Sequence, residues 1–88
     1  MPYIKEHDRL RLSDITKVLE LAPVETEGEL NYLFTVISHA YVRRHGKKYK
    51  VLNDVVGALD GAKAEFQRRV VAPYEDTKIA ENGDVLNI

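Results

Sequence analysis

Apolar residues recur at helical spacing in three stretches of this chain. Ile15, Val18, Leu19 and Ala22 stand at i, i+3, i+4 and i+7, and Pro23 follows, which stops a helix because it lacks a backbone donor. Leu30, Leu33, Phe34, Ile37 and Tyr41 form a second stripe. A third and longer one holds Leu52, Val55, Leu59, Phe66 and Val70. The spacing predicts helices over Asp14–Ala22, Glu27–His45 and Tyr49–Val71, with these side chains as the core. No stretch alternates with a period of two for long enough to make a convincing strand. The expected fold class is therefore all-α: a small helical bundle of three main helices plus a short helix after Pro73.

The polar positions punctuate this pattern. A turn or two of helix is expected around Lys5 to Leu10, and Ser13 stands where an N-cap belongs. Thr26 and Glu29 match a capping box, the threonine accepting from the Glu29 amide while the glutamate reaches back. Arg43 and Arg44 fall in a last helical turn, where cations suit the dipole, and Gly46 is placed to supply the left-handed C-cap. So short a connection predicts antiparallel helices on either side of it. Pro73 predicts a break or kink and the first residue of a new helix, with Glu75 and Asp76 in its first turn and Asn82-Gly83 at its end. Val85 to Ile88 is expected to be an extended tail that packs or swaps.

Two glycines, Gly57 and Gly61, lie inside the third helical stretch, one turn apart. Each costs about 1 kcal/mol relative to alanine in a helix, which asks for a close approach of another backbone. Asp54, Gly57, Gly61, Ala64 and Arg68 share that side of the helix and form the expected interaction face.

A chain of 88 residues, 44% hydrophobic and 31% charged, suits one globular domain (1–88) rather than a disordered segment. Its core would be thin, and domains of this size often gain stability by pairing with a copy of themselves. The chain has no cysteine, which removes disulfides, thiolate nucleophiles and cysteine-ligated zinc and fits a cytoplasmic protein. No signal-like or membrane-spanning apolar run occurs. The net charge of −1 gives no global attraction to nucleic acid or anionic lipid. Locally the charges separate. RRHGKKYK (43–50) holds five basic residues and no acid, whereas EDTKIAENGD (75–84) holds four acids and one lysine. Both are read first as solvated helix ends, and attraction between them, within the molecule or across a dimer, is the alternative.

Candidate chemistry is sparse. His39 and His45 are six residues apart, not the three or four that places two ligands on one helix face, and His7 is in the lead-in. No metal site is expected. Glu27, Glu29, Asp54, Asp60 and Glu65 invite comparison with helical nucleotide pyrophosphohydrolases, which hold magnesium on acidic helix faces. Here the acids are scattered: Asp54 and Asp60 are about 120° apart on a helical wheel, and Glu65 has Arg69 four residues on as an ion-pair partner. Ser13 and Ser38 lie in no nucleophile elbow, and no phosphate-binding glycine loop exists. No catalytic residue is assigned and no cofactor is expected.

Arg43, Arg44, Lys47, Lys48 and Lys50, with Tyr49 for stacking, are the possible contacts for an anion or nucleic acid. A turn between antiparallel helices presents no recognition helix, so nucleic acid is not the expected partner. Tyr32, Tyr49 and Tyr74, with Asn31 and Asn53, are read as packing residues that fix the helices and the turn at Pro73. The pair Arg68/Arg69, covered by Tyr74, is a further place to hold a small anion.

The segments GELNY (28–32), NDVVGALDGAK (53–63) and EFQRRVVAPYEDTKIAENGDV (65–85), with the MPYI opening, resemble a family of short uncharacterised proteins of microbes and their viruses. That resemblance covers most of the chain. It implies a small intact protein and carries over no catalytic residue. The resulting expectation is a non-enzymatic helical interaction protein that pairs with itself as a homodimer. The alternatives are a metal-dependent pyrophosphohydrolase-like enzyme and weak nucleic-acid binding through Arg43–Lys50; an unidentified protein partner is also allowed, and a membrane is not.

Overall fold

The computed structural model describes residues 2–86, and among them the ordered backbone is helical, with no strand. The elements are α1 (Glu6–Arg11), α2 (Ser13–Glu20), α3 (Glu27–His45), α4 (Tyr49–Phe66), a π-helical segment (Gln67–Val71) and α5 (Ala72–Asn82). The protein is all-α, as the periodicity predicts. Its residues form two compact units, Tyr3–Val56 and the part from Gly57 onward together with Pro2.

In the first unit, α1 runs almost directly into α2. Leu12 is the only residue between them, at φ −97° and ψ 5°, and its amide donates to the Asp8 and Arg9 carbonyls. Ser13 is consequently not an N-cap. It is already the first residue of α2, and its carbonyl accepts from the Thr16 hydroxyl at 2.9 Å. The expected end at Ala22 is also two residues too late, since α2 ends at Glu20. The physical reason is Pro23, whose ring disfavours helical geometry at the residue before it.

The cap of α3 forms, with one difference from the simplest capping box. Thr26 Oγ1 accepts from the Glu29 amide at 3.1 Å, but the Glu29 carboxylate takes the amide of Glu25, at 2.8 Å. Thr26→Ala should therefore cost about 1 kcal/mol, readable as a shift in the chemical-denaturation midpoint at unchanged slope. At the other end Gly46, at φ 94°, donates its amide to the Val42 carbonyl at 2.7 Å. That positive φ is what glycine supplies there.

In the second unit, Pro73 does not break the helix. The backbone stays helical through Val71 and Ala72, and the change is one of register: the Ala72 amide donates to Gln67, five residues back. A π turn widens the backbone just ahead of the ring, where an α-helix would press the Arg69 carbonyl against proline. Helix α5 then ends as expected at Asn82, with Gly83 at φ 86° and its amide on the Ile79 carbonyl. Val85 and Leu86 are exposed; the rest of the expected packing tail, Asn87 and Ile88, lies outside the described residues.

The predicted core is not buried. Among the described residues Val51 alone is buried, at 7% exposure, and Val51 is absent from the predicted set. Leu33 and Val55 are half-buried. The others, Ile15, Val18, Leu19, Leu30, Phe34, Ile37, Tyr41, Leu52, Leu59, Phe66 and Val70, are exposed. The helices that carry these stripes form, but among the described residues most of the stripe side chains are exposed.

Candidate interaction surface

Helix α3 carries the clearest of these uncovered faces. At 100° per residue, Leu33, Ile37, Leu30, Tyr41 and Phe34 fall within a sector of about 100°, a width that matches the core-facing side of an amphipathic helix. Leu30, Phe34, Ile37 and Tyr41 nevertheless keep between 39% and 58% of their surface in water. The polar residues between them are spent locally. Thr35 donates its hydroxyl to the Asn31 carbonyl at 3.0 Å, and Ser38 donates to that of Phe34 at 2.8 Å. Helix α2 repeats the situation with Ile15, Val18 and Leu19, and Leu21 follows. Scattered exposed leucines need no explanation, but contiguous helical stripes do.

The lower end of the α3 stripe is tied to α4 by a small polar cluster. Tyr41 donates its hydroxyl to Asp54 Oδ2 at 3.3 Å, and Lys50 Nζ meets the same oxygen at 3.1 Å. The rings of Tyr41 and His45 lie 4.3 Å apart between centroids, inclined at 43°. The hydrogen bond to Asp54, and then its charge, raise the Lys50 pKa above the ordinary lysine value. With a raised folded value, that contribution is complete at neutral pH and is lost only as pH climbs through it. Sequence spacing offered part of this, since Lys50 and Asp54 are four apart. The Tyr41 contact spans 13 residues and needed the turn.

Of the residues expected to form one interaction face, Asp54, Gly57, Gly61 and Ala64 lie on the continuous helix α4 and Arg68 on the π-helical segment that follows. Asp54 belongs to the first unit and is occupied by Tyr41 and Lys50; Gly57, Gly61, Ala64 and Arg68 belong to the second. A Cβ built on Gly57 would meet no atom within 4 Å, so among the described residues no backbone makes a close approach at Gly57. Arg68 pairs with Glu65 Oε1 at 2.8 Å. The expected Glu65–Arg69 pair is thus replaced by one at i+3, and Arg68 is not free to hold an anion. Tyr32, Tyr49 and Tyr74 are exposed, contrary to their reading as packing residues. Tyr74 carries Lys78 over its ring, 5.4 Å from the centroid.

Among the basic residues of the turn, Lys50 is taken by Asp54, whereas Arg43, Arg44, Lys47 and Lys48 have no ion-pair partner among the described residues. No three His, Asp or Glu side chains there are grouped so as to hold a metal ion. Three acids weighed as ligands have other partners: Glu29 on the Glu25 amide, Asp54 on Tyr41 and Lys50, Glu65 on Arg68. No described helix is long and apolar enough to cross a membrane.

Fold and surface together define a small all-α protein whose most developed feature is uncovered apolar helix face rather than a polar pocket. The chain belongs to the family described as a domain of unknown function (DUF6899), which matches residues 1–85. No curated protein and no solved structure matches it.

Proposed function

We propose that this chain is a self-associating helical interaction protein without catalytic activity of its own. One observation carries the reading. Leu30, Phe34, Ile37 and Tyr41, the apolar stripe of α3, keep between 39% and 58% of their surface in water. Leaving such stripes in water forfeits the main driving force for folding.

Sedimentation velocity on the full chain, from micromolar to millimolar, tests this. The expected result is a species of at least twice 10.0 kDa across most of that range. A 10.0-kDa species throughout would overturn the proposal.

A further inference from the structure

We infer that the turn between α3 and α4 is a binding site for single-stranded nucleic acid, with Arg43, Arg44, Lys47 and Lys48 on the phosphates and the Tyr49 ring stacked on a base. The site lies within one short segment of the chain and needs no second copy. Arg43 and Arg44 stand in the last turn of α3, Lys47 and Lys48 in the connection, and Tyr49 opens α4. All four cations are exposed, and none has an ion-pair partner among the described residues. Asp54 does not compensate them, because its Oδ2 is held by Lys50 Nζ at 3.1 Å and by the Tyr41 hydroxyl at 3.3 Å. The C-terminal end of α3 offsets only about half a unit charge. A concentrated positive field is left over.

The net charge of −1 does not oppose this, since at physiological ionic strength screening confines each exposed charge to about 8 Å. The form of the patch selects the ligand. Small-molecule sites are concave and bury most of their ligand, whereas these cations are exposed and spread over two helix ends and the turn between them. Such a row suits a chain of repeated charges, each contact releasing a counterion. Tyr49, 82% exposed, sets an aromatic face among the cations, which inorganic phosphate would leave unused and on which an unstacked base can lie. Duplex is the poorer fit, because its bases are already stacked and the turn presents no helix to a groove. The platform is also held in place. Gly46 donates its amide to the Val42 carbonyl at 2.7 Å, the Lys48 amide donates to the Gly46 carbonyl at 3.0 Å, and Asp54 joins Tyr41 of α3 to Lys50 of α4. A turn already ordered loses little freedom on binding.

Fluorescence anisotropy of the full chain with labelled oligo(dT) and oligo(rU), on the order of 16 nucleotides long, tests the site. Binding of either supports it. Four phosphate contacts predict a slope of about −2.8 for log K against log salt, and Lys47→Gln/Lys48→Gln should reduce it to about −1.4. Lys5→Gln/Lys17→Gln, at exposed basic positions elsewhere in the same unit, should leave the slope unchanged. Tyr49→Ala should weaken binding about tenfold at the parent's slope, whereas Tyr49→Phe should bind like the parent. Every one of these positions is exposed, so the variants are expected to fold, and far-ultraviolet dichroism checks that they do. No binding at low salt, equal affinity for a duplex of the same length, or a slope that Lys47→Gln/Lys48→Gln leaves unchanged would overturn the site. So would a Tyr49→Ala protein that binds like the parent. Capture by phosphatidylserine–phosphatidylcholine vesicles that depends on Lys47 and Lys48, with neither oligonucleotide bound, would assign the turn to a lipid surface instead.

Discussion

The midpoint of thermal unfolding should rise by about 4 °C for each tenfold increase in protein concentration. A folded monomer would show no such dependence, because folding and unfolding would be unimolecular. If two chains complete each other's core, unfolding also dissociates them, and mass action enters the equilibrium. Tenfold in concentration is then worth about 1.4 kcal/mol per dimer. The unfolding entropy of the two chains, about 2.1 cal/mol/K per residue near 60 °C, converts that into the stated shift. Over three decades, from micromolar to millimolar, the midpoint should move by roughly 11 °C. Far-ultraviolet dichroism at low concentration and calorimetry at high concentration cover that range. A constant midpoint would mean that the exposed stripes of α2 and α3 are tolerated in water by a chain that folds alone.

The helices themselves were legible in the sequence, and their partners were not. Period and punctuation located α3 to the residue at both ends, because Thr26 and Gly46 act within a few residues of where they stand. The same locality made Gly83 readable. Ser13 failed for a related reason: a preceding helix ends at Arg11, two residues before it, and Ser13 is already helical, whereas an N-cap residue has a non-helical backbone. Pro73 was legible in part: it stands in the first turn of α5 with Glu75, as expected, but the form of the interruption before it was not readable. Proline forbids one hydrogen bond, but the chain has two ways to avoid it, a break or a wider turn, and local chemistry does not choose between them.

The core was the largest miss. Periodicity reports which face of a helix seeks burial, not which surface provides it. Phe66 and Ile37 were assigned correctly to apolar stripes and yet stand exposed in the single chain. The polar cluster of Tyr41, His45, Lys50 and Asp54 shows the same limit from the other side. Its Lys50–Asp54 member lies at a helical spacing that can be read directly, and its Tyr41 member depends on how the turn at Gly46 closes.

Val51→Asp should destabilise the protein by on the order of 3 kcal/mol or more, a large share of the stability of so small a domain. Val51 is the only described hydrophobic residue that the chain buries by itself. A carboxylate there would lose its hydration, and Asp54, three residues on in the same helix, would add like charge beside it. Both effects raise the introduced group's folded-state pKa above its unfolded value. The penalty should therefore be greatest at neutral pH and diminish as pH falls and the group is protonated. Tyr49→Asp is the control. Tyr49 is the first residue of α4 and 82% exposed, so an acid there changes stability by no more than about 0.5 kcal/mol and suits the helix dipole. Chemical denaturation of the two variants at pH 7 and pH 4, at one fixed protein concentration, separates these contributions. A Val51→Asp protein as stable as Tyr49→Asp at pH 7 would mean that Val51 is not sealed from water, and that even the first turns of α4 depend on a second chain for their core.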